Sequence, residues 1–243
     1  MTKHAVHRLF EERLSRATRP FQARGKLVVR CPRCRIHQSY CICNLVPELH
    51  SAAGFLLLFY DDEVLKPSNS GKLIADLIPD TYAFIWQRTE VNPQVLTLLQ
   101  QEQWYPVLVF PAEYALAERE VFEDELKVPE HKRPLFILFD GTWREAKKMF
   151  RKSPYLDQFP VLSITPEALS KFQIRKSSRG HQLATAEVAA SVLSVFGEHG
   201  NGAVMNAWFD LFNYRYQQGK TAVNLGNEHA ERDFLAAVER LKV

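Results

Sequence analysis

No apolar stretch in this sequence is long enough to cross a bilayer. The longest strand-like runs, Gly54 to Tyr60 and Pro134 to Phe139, fall far short of the roughly twenty residues a membrane helix needs. The first residues, Met1 to Phe10, carry charge and histidine without a signal peptide's apolar core. An intracellular, soluble, cytoplasmic location is therefore expected. Cysteine is scarce and confined: the four, Cys31, Cys34, Cys41 and Cys43, all fall within 13 residues. A disulfide framework would spread its links along an exported chain, which this one does not resemble. No internal repeat or low-complexity tract stands out. Charge of one sign is not in large excess either, with a net charge of +3, so the total establishes no nucleic-acid partner.

What is present is a globular composition. The 243 residues are 46% hydrophobic and 24% charged, which fits one large domain or a large one with a small satellite. Basic residues are concentrated at the start. Lys3, Arg8, Arg13, Arg16, Arg19, Arg24, Lys26, Arg30, Arg33 and Arg35 face only two acids, Glu11 and Glu12. Such a segment is either a solvated leader or a contact surface for an RNA backbone.

Three segments are expected: a basic arm or helix over 1–25, a cysteine module over 26–50, and a main body over 51–243. In the body, Gly54–Tyr60, Tyr82–Trp86, Pro106–Phe110, Leu135–Phe139 and Val161–Ile164 read as strands. Consecutive apolar positions suit a sheet covered on both faces. Helices are expected at Gly71–Ile78, Pro93–Gln103 and Arg144–Arg151, and then over roughly 185–197, 203–218 and 227–241, with glycines 197, 200, 202, 219 and 226 as breaks. Strands alternating with helices predict an α/β fold with a mostly parallel sheet.

The cysteines read C-x2-C-x6-C-x-C. Two close pairs of thiolates can wrap one tetrahedral zinc ion, and a site with four protein ligands has no open position for substrate, which marks it as structural. An iron–sulfur cluster and unligated thiols remain as other readings. Arg30, Arg33 and Arg35 project from this knuckle beside Tyr40, a mixture suited to an RNA backbone and an unstacked base, or to a solvated rim.

The sharpest local feature is Phe139-Asp140-Gly141-Thr142-Trp143-Arg144-Glu145. It follows an apolar strand and opens a basic helix, so Asp140 sits where ligands bind in an open α/β sheet. Gly141 permits close approach of a ligand. Thr142 and Glu145 have capping-box spacing, and free amides there suit a carboxylate. Lys147, Lys148, Arg151 and Lys152 recur at helical spacing, either as a face for a polyanion or for solubility.

These motifs, in this order, closely resemble the DTW-domain family, and within it the bacterial tRNA-uridine aminocarboxypropyltransferases. The likeness covers nearly the whole chain. It runs from the cysteines through Glu63 to Asn69-Ser70-Gly71, then Phe110-Pro111-Ala112-Glu113, Asp140 to Met149, Pro154 and Leu156, Ile174-Arg175-Lys176, and Leu183-Ala184-Thr185-Ala186-Glu187. Five positions depart from the family pattern. Tyr60-Asp61 replaces a histidine-proline, Lys66 an arginine, Ser70 a threonine and Ala184 a serine.

The resemblance implies a SPOUT-like knotted core and S-adenosylmethionine as donor. It also implies tRNA as partner and formation of 3-(3-amino-3-carboxypropyl)uridine, which bacteria place at tRNA position 47. Asp140 is the first candidate for general base and Glu187 the second. Phe110, Pro111, Gly141, Thr142, Trp143 and Thr185 are expected around the donor. Lys66, Ser70, Gly71, Lys147, Lys148, Arg175 and Lys176, with Arg30, Arg33 and Arg35, are expected to contact substrate. A SPOUT-like RNA methyltransferase and a noncatalytic zinc-containing RNA-binding protein are the competing readings.

Overall fold

The apolar run that reads as a doubly covered strand is β1 (Gly54–Phe59), and all six of its residues are buried. In the computed structural model, which describes residues 3–18, 28–123, 125–164, 183–220 and 223–241, it is followed by α2 (Gly71–Leu77), β2 (Thr81–Ile85), α3 (Pro93–Leu99), β3 (Trp104–Val109), β4 (Val121–Phe122), β5 (Arg133–Asp140), α4 (Trp143–Arg151) and β6 (Val161–Leu162). An N-terminal helix, α1 (Ala5–Ser15), precedes these elements, and α5 (Thr185–Val195), α6 (His199–Gln218) and α7 (Ala230–Leu241) follow them.

The described strands form one sheet in the order β2-β1-β5-β3-β6-β4, and every pairing in it is parallel. Alternate side chains leave opposite faces. Phe55, Leu57, Phe59, Phe136 and Leu138 enter a core shared with α2, α5, α6 and α7, while Leu56, Leu58, Leu135 and Ile137 enter a second one with α3 and α4. Chain order explains where a crevice must open. β1 leads outward to β2, the chain crosses back to β3, and β5 then fills the gap between β1 and β3. The carboxyl end of β5 therefore lies at a topological switch point, where open parallel sheets place their ligands.

Several boundaries differ from the sequence reading. The last long helices begin at His199 and Ala230, against an expected 203 and 227. Gly200 and Gly202 lie inside α6 as packing positions. A Cβ on Gly202 would stand 2.7 Å from the Ala190 carbonyl, so glycine there lets α5 and α6 approach closely. The cysteine segment shares the main core, with Ile36 and Ile42 fully buried beside residues of the sheet and helices. α1 is tied to the body by Arg13, whose guanidinium donates to Asp61 at 2.9 Å and Asp62 at 2.6 Å. Among the described residues no helix is long and apolar enough to cross a membrane.

Candidate functional site

Asp140 closes β5, and its backbone carbonyl accepts from the Tyr60 amide at 2.8 Å, which holds the ends of β1 and β5 together. Its side chain does not lie at the open mouth expected from the sequence; it is only 2% exposed. Hydrophobic strand residues surround it, and the loop before α2 folds over it. Asn69 Nδ2 donates to Asp140 Oδ1 at 2.7 Å. Gly71 packs so closely that a Cβ there would collide with Oδ2 and stand 3.0 Å from the Phe59 ring. Asp140 Oδ2 itself is buried with no hydrogen-bond partner. Burial pushes this carboxyl up to about 7, aided by the Glu63 carboxylate, while the Thr185 and Asn69 side chains and the Lys66 charge pull it down. A carboxylate with a pKa near neutrality and an unused oxygen is equipped to accept a proton or an ammonium.

The loop also joins Asp140 to the start of α5. Ser70 Oγ accepts from the Ala186 amide at 3.4 Å, supplying an acceptor near a helix start whose N-cap residue, Ala184, has no side-chain oxygen. Glu187 Oε2 accepts from the Ala184 amide at 2.7 Å. This buried carboxylate, also pushed up by burial, therefore serves the helix end and stands apart from the Asp140 pocket in role. Asn69, Ser70, Gly71, Asp140 and Thr185 converge. Their spacing along the sequence gives no sign of this; only the crossover order of the strands does.

On the other face of the sheet, beyond the end of β3, stands an aromatic cluster. Phe110 stacks on Trp143 at 5.3 Å and on Phe150 at 4.5 Å, and Tyr114 meets Trp143 edge-on at 5.8 Å. Pro111 turns the chain at the end of β3, before the short helical turn that carries Tyr114. Gly141 leads into Thr142, which with Glu145 forms a complete capping box. Thr142 N and Oγ1 both donate to Glu145 Oε2 at 2.7 Å. The expected carboxylate site at this helix start thus has two of its amides already engaged.

On α4, Lys147 lies 5.8 Å from the Trp143 ring, and Lys148 donates to the Tyr60 hydroxyl at 2.9 Å. Tyr60 stacks on Trp86 at 6.0 Å. Tyr60, at one of the family departures, is thereby locked to the basic helix, a contact the sequence reading missed. Lys66 pairs with Glu63 on the same short helical segment. Arg175 and Lys176 lie outside the described residues.

The four cysteines converge as expected, with ligand atoms all within 4.8 Å of one another. The Sγ separations are 3.7 Å for Cys31–Cys43, 3.8 Å for Cys34–Cys41 and 3.5 Å for Cys31–Cys41. A tetrahedron with metal–sulfur bonds of ~2.3 Å has edges of about 3.8 Å, so the cluster can coordinate one metal ion.

Its three arginines divide. Arg35 corrects the expectation of an RNA contact: it is 4% exposed, sits at φ 62°, covers the Phe10 ring at 3.6 Å and donates to the Val64 carbonyl at 2.5 Å. Its guanidinium fastens the cysteine module to the body. Arg30 donates to the Arg35 carbonyl at 3.0 Å and lies over Tyr216. Arg33 is half-buried.

Residues 28–217 match the DTW domain family. The chain belongs to the DTW domain family. Across 207 residues it is 24% identical to tRNA-uridine aminocarboxypropyltransferase 2 of Macaca fascicularis, a match covering 82% of this chain and 67% of that one. No solved structure matches the chain. The DTW assignment brings the cysteine cluster, the Asn69–Gly71 loop and the Asp140 turn into one matched region, and supports an enzymatic role related to tRNA modification.

Proposed function

We propose that this DTW protein transfers the 3-amino-3-carboxypropyl group of S-adenosylmethionine to N3 of a tRNA uridine, at position 47, and releases 5′-methylthioadenosine. The reading rests above all on Asp140: a buried carboxyl near neutrality, with one oxygen held by Asn69 and the other unpartnered, at the switch point of a parallel sheet. We assign the sheet to a SPOUT-like knotted core and the Cys31, Cys34, Cys41 and Cys43 cluster to structural zinc.

The residues fit such a donor. Phe110 and Trp143 offer a flat apolar face, and Asp140 Oδ2, at the end of the neighbouring strand, offers a polar acceptor. The donor supplies a sulfonium: as N3 bonds to its γ carbon, that carbon–sulfur bond breaks and its electron pair leaves on a neutral thioether. Uridine N3 carries a proton and is a poor nucleophile until it is removed. Asp140 takes that proton, and an acceptor near neutrality does so far better than an ordinary aspartate. Orientation selects the γ carbon over the methyl carbon, a matter of placing the reacting atoms within contact distance.

The deciding assay is mass spectrometry of a defined tRNA after incubation with protein and donor. A gain of one aminocarboxypropyl group with 5′-methylthioadenosine is the expected result. A methyl gain with S-adenosylhomocysteine identifies a methyltransferase, and binding without either product identifies a noncatalytic binder. The basic face of α4 should hold the RNA backbone. Replacing Lys147, Arg151 and Lys152 together with glutamine should weaken tRNA binding and flatten its dependence on salt by about 2 in log–log slope. Donor affinity should stay within roughly twofold of the native value, given that backbone contacts act on the polyanion alone; an unchanged slope would move the RNA to another face.

A further inference from the structure

Lys72, on α2, is a buried cation that the proposed reaction does not use. It is 1% exposed, an expensive position for an ammonium that a methionine of similar length would fill at lower cost. Its Nζ donates to the Asn69 carbonyl at 2.6 Å and the Pro67 carbonyl at 3.0 Å, and it rests 4.0 Å from the centroid of the Phe212 ring on α6. It thus clamps both ends of the segment whose Asn69 side chain grips Asp140 Oδ1. The charged and titratable groups that act on it come from every side: Arg35 and Cys34 of the metal module, Asp76 on its own helix, and Asp140 at the end of β5.

We propose that Lys72 is a positioning residue, which fixes the Pro67–Ser70 loop from below and sets the charge environment in which Asp140 works. The inference rests on Asp140 as proton acceptor in the proposed transfer. Two carbonyls aimed at one ammonium define the loop's path, and the path decides where Asn69 Nδ2 lies. The positive charge, reduced by burial so that Lys72 titrates at about 7, favours the ionised form of Asp140 across a medium of low dielectric. Removing it should leave Asp140 holding its proton more tightly.

The test uses full-length, metal-loaded protein with aspartate labelled at the carboxyl carbon, the Asp140 signal being assigned by its loss in Asp140→Asn. In Lys72→Met the Asp140 titration should move to higher pH, and the Asn69 side-chain amide signal should lose its bonded position. Lys72→Gln, which keeps a donor for the carbonyls but no charge, should move the titration while leaving the Asn69 signal largely in place; it also serves if the methionine variant does not fold. An Asp140 titration unchanged in a folded Lys72 variant overturns the proposal, since a merely structural lysine would lower the melting temperature without touching it. Transfer rates measured alongside should show their acid limb moving in parallel. Native protein that transfers nothing would sink the functional reading, and the titration would still decide the role of Lys72.

Discussion

Asp140→Asn is expected to slow single-turnover transfer by about 10²–10⁴-fold, the range associated with losing a general base, while the protein remains folded. The substitution keeps size and shape. The amide oxygen can still accept from Asn69, so the loop before α2 need not move. What disappears is the acceptor that is buried at 2% exposure and held near neutrality.

Linkage gives the same variant a second signature. A carboxyl raised from 3.8 to about 7 by folding favours the folded state when protonated, a contribution fully present below the unfolded value and lost as pH rises through about 7. At pH 8 the native protein bears the cost of an ionised buried carboxylate, with a ceiling of ~4 kcal/mol at 1.36 kcal/mol per pH unit. Asp140→Asn does not bear it. Its melting temperature should therefore match or exceed that of the native protein above pH 7, and the two should converge only as pH falls below the unfolded value of 3.8. Donor affinity separates the two roles open to the carboxylate: unchanged affinity with slow transfer marks the proton acceptor, and weakened affinity marks a partner of the donor's ammonium. Transfer near the native rate in a folded variant would refute both.

Much of the fold was legible because burial on both faces of a sheet writes itself as consecutive apolar residues. β1 and the centre of β5 are such runs, and their neighbours in the sheet follow from alternation with helices. β4 was not legible: two residues, Val121 and Phe122, carry no period. α6 was read to begin late, since Gly200 and Gly202 look like breaks until the helix packed against them is seen. In the site, Asn69-Ser70-Gly71 was marked only by the family resemblance, whereas Asp140 was legible as turn chemistry after a strand and before a helix. Lys72 and Arg35 were not, because charged side chains are placed on the surface unless a partner is known, and their partners are backbone carbonyls and aromatic rings brought near by the fold. Glu187, expected as the second candidate base, instead accepts from the Ala184 amide at the start of α5.

Replacing Cys41 with serine should cost the metal and a large part of the stability. A serine oxygen is a poor ligand beside a thiolate, so the three remaining cysteines would leave a bound zinc ion one protein ligand short. The consequence reaches beyond the module because the module is not a separate body. Ile36 and Ile42, at 0% and 1% exposure, belong to the same core as β1 and α6. Arg35 carries the connection onward to the Val64 carbonyl, on the segment that leads to Lys66 and Asn69. Metal loss should thus loosen the loop over Asp140 as well as the knuckle itself. One metal ion per native chain is expected by elemental analysis, and less than half of that in Cys41→Ser. Stripping the native protein with chelator should lower its melting temperature and its donor affinity together, both returning when zinc is restored; metal binding and folding are one equilibrium where the ligands are not preformed in the unfolded chain. A folded native protein without stoichiometric metal, or a stripped protein with unchanged stability, would show that the four thiols hold the module without an ion.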